Sequence, residues 1–449
     1  MAIWHCCLLL KRANDITRRT RMANRKDLKV LHICYMDGEG GAAIGAYGLH
    51  RAMLSMGIDS KMLVVVKTTD DPTVQSVGTV ARWIMVLMRK IESFLLLFQS
   101  TPNRVIHTLN ILPTGICRRI NRLDVDIVQL HWIRKTISIG EIAKIKQPVV
   151  WKMPDMWAFS GAEHYSDLGS ADRFKEGYTH SNRPNGHRGV DIDRLLWLYK
   201  KKIWEKKDIS IVGTSNWIAE SAKESVLFHN RKVKVINNPI DLEIFYPTDK
   251  ETERRKLRVP HNKRVILFGA WHVDLDRRKG YDKLLEAMVQ VEKQWKKEDL
   301  CLLVFGATGR PSAAYFDLKR YPAEIEEIYL GELSHGEQMR CAYNAADVYV
   351  TPALVEGFGL TAAEALACGT PVVCFDTSGL KDIVDHKVNG YRAQCYDTED
   401  LAKGISWVLN RDASVLSREA ENKARISFNR ERAVESYIDY YMEILSEGC

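Results

Sequence analysis

Two carboxylates on either side of a glycine-containing turn are the residues of this chain best placed to do chemistry. Glu356 and Glu364 are separated by seven residues. Gly357 and Gly359 lack a Cβ, so backbone N–H groups in the turn can come close to a ligand. A helix that begins near Leu360 would add free N–H donors and the positive end of its dipole. This stretch therefore predicts a phosphate cradle beside two acids for hydroxyl groups, the combination that a nucleotide-sugar requires.

The elements around this stretch alternate between apolar strands and helices in both halves of the chain. We predict strands at residues 28–35, 59–67, 126–131, 148–153, 209–214, 233–240, 265–269, 301–305, 327–330, 348–353 and 371–375. Helices are predicted at residues 42–56, 191–204, 281–295, 335–345, 360–368 and 430–445. This alternation is typical of α/β chains with two doubly wound, Rossmann-like domains.

The predicted domain boundaries follow the composition. The chain has 449 residues, of which 46% are hydrophobic, enough for two or three domains with large cores. We expect domains at residues 28–246 and 263–427, joined by a polar, proline-flanked linker at 247–262. The C-terminal helix, within residues 428–449, carries tyrosines that can dock onto a neighbouring element. Residues 1–27 are expected to be a disordered extension or the product of an upstream start, because Met22 could also begin the chain.

Charge and cysteine usage exclude some classes of protein. The net charge of +8 is modest, and no nucleic-acid-binding module accompanies it, so we expect no nucleic acid partner. An anionic membrane face, a phosphorylated substrate or simply solvated helix faces can account for the basic clusters. The ten cysteines show no CxxC spacing, which favours reduced thiols in the cytoplasm over disulfides. The apolar run at residues 6–10 is too short for a signal peptide or a membrane span.

The segment at residues 79–99 has two interpretations. Arg82, Arg89, Lys90 and Glu92 interrupt its apolar residues, so it cannot cross a bilayer. It is either a core helix that flanks the sheet or, over residues 83–98, an amphipathic helix that lies on a membrane surface.

Polar and glycine-rich stretches follow the predicted strands of the first half. Gly40 and Gly41 lie in a loop that lacks a clean GxGxxG pattern; we interpret it as admitting some ligand, with a tight turn as the alternative. His131 ends the strand at 126–131, and ligands of open α/β sheets bind at such strand ends. A structural histidine remains the alternative for His131. The polar segment at 159–190 is long for a loop, and such loops are usually functional or mobile.

Taken together, these residues resemble the retaining glycosyltransferases of the GT-B fold, glycosyltransferase family 4. The two glutamates with their Gly-Phe-Gly turn match that family's signature. Four further stretches match in order: residues 38–45, 235–241, 278–280 and 367–372. Residues 131–132, 155–161 and 164–165 also resemble a bacterial exopolysaccharide subgroup that includes colanic-acid-type fucosyltransferases. The resemblance covers residues 28–446 and implies two Rossmann-like domains facing a cleft, with the C-terminal helix crossing back to the first domain.

The resemblance also implies roles for individual residues. Glu364 would bind the ribose hydroxyls, Glu356 would bind the hydroxyls of the transferred sugar, and Lys279 would neutralise the pyrophosphate with an arginine. The other donor-binding candidates are Arg277, Arg278, Gly357, Phe358, Gly359, Leu360, Thr361, Gly40 and Gly41. Two positions depart from the family pattern: Ala270 stands where an arginine is usual, and Pro154 where a histidine is usual. Arg277 or Arg278 is the candidate replacement for the first, and His131 for the second.

The function implied is transfer of a sugar, with retention, from a nucleotide diphosphate donor to a lipid-linked oligosaccharide or growing polysaccharide. We expect this at the cytoplasmic face of the membrane, without a cofactor or metal. The Asp-x-Asp triplets at 124–126, 191–193 and 274–276 do not lie in the context in which GT-A enzymes hold a metal. The alternatives are a nucleotide-sugar 2-epimerase, which needs no acceptor, and a non-catalytic donor-binding partner of another transferase.

Overall fold

The chain forms two compact units, each with its own parallel sheet. A computed structural model describes residues 27–166, 172–270, 276–309 and 325–447. Unit 1 comprises Met1–Gly213, Ala219–Ile236 and Glu431–Cys449, and unit 2 comprises Thr214–Ile218 and Asn237–Arg430.

Unit 1 is built around a seven-stranded sheet in which all neighbouring strands are parallel. Its strands are β1 Lys29–Met36, β2 Asp59–Val66, β3 Val74–Ser76, β5 Ile127–Leu130, β6 Val149–Met153, β8 Ile209–Gly213 and β9 Val233–Val235, and β4 Gln99–Ser100 pairs separately with β7 Arg188–Gly189. The order across the sheet is β3-β2-β1-β5-β6-β8-β9. The helices of this unit are α1 Gly41–Ser55, α2 Thr79–Leu96, α3 Ile116–Ile120, α4 Ile139–Ile142, α5 Arg173–Glu176 and α6 Ile192–Trp204. Helix α7 Asn216–Glu224 begins in the Thr214–Ile218 segment of unit 2 and belongs to unit 1 from Ala219 onwards. Strands β5, β6 and β8 are buried throughout, as expected for parallel strands covered on both faces.

Unit 2 contains a six-stranded parallel sheet. Its strands are β10 Arg264–Gly269, β11 Leu300–Phe305, β12 Glu326–Tyr329, β13 Val348–Thr351, β14 Val372–Phe375 and β15 Gly390–Ala393. The order across the sheet is β12-β11-β10-β13-β14-β15. The helices of this unit are α8 Lys250–Leu257, α9 Tyr281–Val291, α10 Glu337–Ala345, α11 Leu360–Ala367, α12 Leu380–Ile383, α13 Thr398–Leu409 and α14 Ala413–Ser427, with short 3₁₀ turns at Arg277–Lys279 and Lys297–Asp299.

The last helix, α15 Arg430–Glu447, packs in the core of unit 1. Tyr437 and Tyr441 are fully buried there, and the hydroxyl of Tyr441 donates a hydrogen bond to the side chain of Gln129. The hydroxyl of Tyr440 lies 3.2 Å from the carbonyl oxygen of Ile211 in β8. The prediction that this helix returns to the first domain is confirmed.

The segment predicted as a linker is instead a folded part of unit 2. Helix α8 occupies residues 250–257, and its Arg254 side chain is buried. The guanidinium of Arg254 donates to the carbonyl oxygen of Ala345 at 2.9 Å and to Asp347 at 2.7 Å. The charged composition of this segment suggested a solvent-exposed linker. The charge of Arg254 is instead buried, which is possible because it pairs with Asp347.

Helix α2 is not a core helix, although the sequence left that interpretation open. Trp83, Leu87 and Phe94 expose 70%, 57% and 59% of their surface, whereas Met85 and Glu92 are buried. In the part of the chain that the structure describes, no helix is both long enough and apolar enough to span a membrane.

Some predictions concern residues outside the described ranges. These are the N-terminal extension up to residue 26, residues 167–171 of the polar segment, residues 274–275 of the third Asp-x-Asp triplet and the last two residues of the C-terminal segment. The strand predicted at 233–240 is shorter in the structure and ends at Val235. It ends there because the following Asn-Asn-Pro sequence leaves the sheet, and Pro239 has no N–H for a ladder.

Candidate functional site in unit 2

The turn between β13 and α11 is held by backbone contacts that leave no room for larger residues. The carbonyl oxygen of Glu356 accepts a hydrogen bond from the N–H of Gly379 at 2.9 Å, and the N–H of Glu356 donates to Ser378 Oγ at 2.9 Å. A Cβ on Gly379 would lie 2.5 Å from the carbonyl oxygen of Gly357. The carbonyl oxygen of Gly357 also accepts from Ser215 Oγ at 2.7 Å. The conformation of the turn is therefore fixed from both sides.

The start of helix α11 has the properties of an anion site. Gly359 precedes the helix with φ of 102°, a conformation that glycine adopts far more readily than other residues, and no side chain caps the helix. The N–H groups at this end have no intrahelical acceptor, so they remain available to a ligand. The ring of Phe358, in the middle of the turn, is buried and packs against Phe428. This contact helps to fix the position of the turn. Thr361 Oγ1 lies 2.9 Å from the hydroxyl of Tyr349.

A second segment packs against this turn and brings a lysine to it. Gly280 has φ of 70°, and a Cβ on it would lie 1.9 Å from the carbonyl oxygen of Pro352. The N–H of Leu354 donates to the carbonyl oxygen of Arg278 at 2.8 Å. Because these backbones are in contact, Lys279 Nζ reaches Glu356 Oε2 at 2.7 Å. Both side chains keep about a fifth of their surface exposed, 20% and 22%, so a ligand can reach them.

The two neighbouring arginines lie in the same short 3₁₀ turn. Arg278 donates to Asp276 Oδ2 at 2.5 Å, which fixes its guanidinium beside the turn. Arg277 is the first residue of the turn, and its backbone carbonyl accepts from the N–H of Gly280. The structure thus places Arg277, Arg278 and Lys279 together on one segment. The side chain of Lys279 forms an ion pair with Glu356.

Glu364 has a different environment, because it is only 1% exposed. His335 Nε2 lies 2.8 Å from its Oε1, and the hydroxyl of Tyr343 donates to its Oε2 at 2.9 Å. Burial opposes protonation of His335, but the hydrogen bond and the charge of Glu364 outweigh it and raise the pKa of His335. Each carboxylate oxygen has a second lone pair, which can accept from a hydroxyl group of a ligand.

Three of the predicted residues lie in unit 1 and do not take part in these contacts. Gly40 and Gly41 stand at the start of α1, and Gly40 has φ of 77°. His131 is 3% exposed, and its Nε2 lies 2.8 Å from His32 Nδ1. Burial, reinforced by the charges of neighbouring residues, lowers the pKa of His131 well below its ordinary value.

Sequence reasoning missed the residues that hold the two glutamates. His335 and Tyr343 orient Glu364, while Ser378 and Gly379 fix the backbone of Glu356. His335 lies two residues before α10 and Tyr343 lies within it, so no local pattern links either to a glutamate on α11. A faint signal was Ser378-Gly379 shortly after β14, at the carboxyl edge where ligands of such sheets bind.

Comparison with known proteins finds a family that is similar to this region. The model of the family Glycosyl transferases group 1 matches residues 249–426, which lie within unit 2. A D-inositol 3-phosphate glycosyltransferase of Saccharomonospora viridis is 31% identical over 223 residues, covering 48% of this chain and 51% of that protein. Its counterpart in Corynebacterium jeikeium is 26% identical over 310 residues, covering 67% of this chain and 70% of that protein. The chain spans about half the length of the first of these curated relatives.

Solved structures show the same fold over nearly the whole chain. Sucrose-phosphate synthase from Thermosynechococcus elongatus has a TM-score of 0.64 at 18% identity, covering 94% of this chain and 100% of that one. HepE from Anabaena in complex with UDP-glucose has a TM-score of 0.59 at 16% identity, covering 94% of this chain and 100% of that one. Identities this low show the fold alone. The predicted fold class, two Rossmann-like α/β domains of the GT-B type, is confirmed.

The contact between His335 and Glu364 predicts a pH dependence of stability. Because the pKa of His335 is raised in the folded state, its stabilising effect is complete below its unfolded pKa and is lost as pH rises through the folded value. We expect His335→Asn to reduce the free energy of unfolding by about 1.5–3 kcal/mol at low pH and by less at high pH. Urea unfolding at pH 5.5, 7 and 8.5 measures the difference from the wild-type protein. His261→Asn, at an exposed histidine of the same unit, is the control. A difference that does not change with pH would contradict this role of His335.

Proposed function

We propose that the protein is a glycosyltransferase that moves a sugar from a nucleotide diphosphate donor, with retention, without a metal ion. The observation that carries the proposal is the pairing of Lys279 with Glu356 beside an uncapped helix start, with the buried Glu364 on the same helix. The family match over residues 249–426 supports the transferase activity. The UDP-glucose bound to Anabaena HepE supports a nucleotide-sugar as the donor.

In this proposal the two glutamates divide the donor between them. Glu364 is buried and fixed by two side chains, so it is suited to the ribose hydroxyls, which do not change during the reaction. Glu356 is partly exposed, so it is accessible to the hydroxyls of the transferred sugar. The N–H groups from Gly357 to Thr361 then lie where the diphosphate passes between the two.

Lys279 has the largest effect on the chemical step in this proposal. A departing nucleoside diphosphate gains negative charge in the transition state, and fixed positive groups lower that barrier. A hydrogen bond to a charged group contributes roughly 1.5–3 kcal/mol, compared with roughly 0.3–1 kcal/mol for a helix dipole. Lys279, with Arg277 or Arg278, therefore supplies charge that a metal ion supplies in other transferases. The roles of Gly40, Gly41 and His131, which lie in unit 1, stay predictions.

We further propose that the acceptor is a lipid-linked oligosaccharide or growing polysaccharide of the cell surface, reached at the cytoplasmic face of the membrane. The exposed apolar face of α2 supports membrane contact. A structural relative, WaaG, is described as a glycosyltransferase involved in lipopolysaccharide biosynthesis; its TM-score is 0.58 at 13% identity, covering 92% of this chain and 99% of that one.

A second candidate function is a donor-binding partner that does not catalyse transfer. It is favoured by Pro154 and Ala270, which stand where the family pattern has a histidine and an arginine. The structure places His131 in a buried position, so its imidazole is a weak substitute for the missing histidine. Binding of a nucleotide-sugar without hydrolysis or transfer would support this second candidate against the first.

Lys279→Ala tests the proposed role of the lysine. Loss of one charge-assisted contact in the transition state should lower turnover roughly tenfold to a hundredfold, with little change in the KM for the acceptor. Lys283→Ala is a matched control, because Lys283 lies on the next turn and pairs with Glu286 instead. Initial rates with and without excess EDTA should be equal. A wild-type rate in Lys279→Ala, or a rate abolished by EDTA, would contradict the proposed mechanism.

The proposed membrane contact predicts that α2 binds anionic vesicles. Replacing Trp83, Leu87 and Phe94 with serine removes the apolar side chains that insert between lipids. We expect the triple variant to lose most of its co-sedimentation with phosphatidylglycerol vesicles. Val415→Ser with Ile426→Ser, at exposed apolar residues of unit 2, should bind like the wild-type protein. Equal binding of both variants would show that α2 is not the contact.

A further inference from the structure

His107, Glu163 and Asp193 of unit 1 form a cluster of side chains whose types can bind a metal ion. One nitrogen or oxygen atom of each lies within 4.8 Å of the corresponding atoms of the other two. His107 Nε2 lies 3.8 Å from Asp193 Oδ1, which is too far for a hydrogen bond. Two ligand atoms that share a zinc ion in tetrahedral geometry lie roughly 3.4 Å apart. A small movement of these side chains would therefore complete such a site.

The fold brings the three residues together from distant parts of the chain. His107 and Glu163 lie opposite each other in an antiparallel bridge, and the backbone hydrogen bonds on either side of the pair are 2.8 and 3.0 Å long. In such a non-hydrogen-bonded pair the two side chains lie close together on the same face. Asp193 lies in the first turn of α6, where its N–H donates to Gln99 Oε1 at 3.1 Å.

Each of the three side chains is oriented by a contact at its other polar atom. His107 Nδ1 lies 2.8 Å from the carbonyl oxygen two residues earlier, so Nδ1 carries the proton and Nε2 keeps its lone pair in the neutral ring. Glu163 Oε1 accepts a hydrogen bond from the hydroxyl of Tyr178. Asp193 Oδ2 accepts from Gln99 Nε2 at 2.7 Å. Contacts of this kind hold the ligands of metal ions in proteins.

The atoms that face one another in the cluster are poorly satisfied. Glu163 is only 7% exposed, and among the described residues neither its Oε2 nor His107 Nε2 has a hydrogen-bond partner, although both atoms are buried. Asp193 Oδ1 accepts from the N–H of Ala162 at 3.2 Å, which leaves it a second lone pair. Buried polar atoms almost always have a partner. Two unpartnered atoms next to a third possible ligand therefore point to a bound ion.

The charges around the cluster favour a cation. Burial and the charge of Asp193 raise the pKa of Glu163, because two enclosed carboxylates repel each other. Asp155 adds a third negative charge, and the ammonium of Lys200 faces all three acids while it donates to backbone carbonyl oxygens. A divalent cation between Glu163 and Asp193 would remove their repulsion. A proton shared by the two acids is the alternative.

We propose that His107, Glu163 and Asp193 bind a divalent transition-metal ion, zinc by preference, that stabilises unit 1. One imidazole and two carboxylates are a donor set that suits zinc. The ion would join the chain around residue 107, the polar segment at 159–190 and the start of α6. It has a structural role and is distinct from the charge that Lys279 is proposed to supply during sugar transfer.

Zinc content and stability of the full-length protein test this site. The protein is dialysed against dipicolinate and titrated with Zn²⁺; bound zinc is measured after desalting. We expect one zinc ion per chain, a higher unfolding temperature with zinc, and at least tenfold weaker zinc binding by His107→Gln. His180→Gln, at an exposed histidine of the same unit, is the matched control and should behave like the wild-type protein. Because the ligands are enclosed, we expect the ion to remain bound during a brief rate assay in EDTA.

Glu163→Gln distinguishes a metal ion from a shared proton. Glutamine resembles a protonated glutamate and can donate to Asp193, but its amide is a poor metal ligand. We expect this variant to bind zinc at least tenfold more weakly and to gain no stability from it. If the wild-type protein bound no zinc, or if both variants bound it as the wild-type protein does, the proposal would be wrong. The wild-type titration decides the question even where a variant fails to fold, and neither measurement depends on transferase activity.

Discussion

The close approach of two backbone segments is the constraint on which the unit 2 site depends. Gly280 lies so near Pro352 that a Cβ would overlap the proline carbonyl oxygen. The neighbouring hydrogen bond from Leu354 to Arg278 keeps the same two segments in register. Because these two segments are in contact, Lys279 Nζ lies 2.7 Å from Glu356 Oε2. A side chain at position 280 would push the two segments apart and so separate Lys279 from Glu356.

The surroundings of the two glutamates then determine what each can do. Glu364 is buried and hydrogen-bonded through both oxygens, which holds its carboxylate in one orientation. Glu356 is paired with a lysine and remains partly exposed, so a ligand can displace or share that partner. Two identical side chains eight positions apart thus have different environments. The difference arises from burial and from the partners that the fold supplies.

The features predicted from the sequence are those with a local signal. Alternating apolar runs predict both parallel sheets, and Gly357 and Gly359 predict the turn before α11, because strand and glycine patterns depend on near neighbours. The contact between Lys279 and Glu356 was not predicted, because 77 positions separate them; the resemblance implied a separate role for each. His335 was not predicted at all, because its contact with Glu364 depends on how two helices pack.

Charge was the most misleading signal, because a sequence does not show which charges are buried. Arg254 made residues 247–262 resemble a solvated linker, yet its guanidinium is enclosed by Asp347 and Ala345. Lys200 belongs to one of the basic clusters, for which solvated helix faces were one of the interpretations. It is fully buried, and its Nζ donates to the carbonyl oxygens of Trp157 and Gly161. Burial lowers its pKa to about 7, and its contacts hold the polar segment after β6 in place.

Binding of nucleotide-sugars to unit 2 tests the central claim most directly. Thermal unfolding is measured with UDP-, GDP- and ADP-sugars in the wild-type protein, in Glu364→Gln and in the control Glu337→Gln, at an acid exposed on a neighbouring helix. A ligand at about 100 times its Kd adds roughly 2.7 kcal/mol of stability, which shifts the unfolding temperature measurably. We predict that one donor class stabilises the wild-type protein and the control but not Glu364→Gln. Stabilisation by none of the donors, or equal stabilisation of Glu364→Gln, would contradict the assignment of this site.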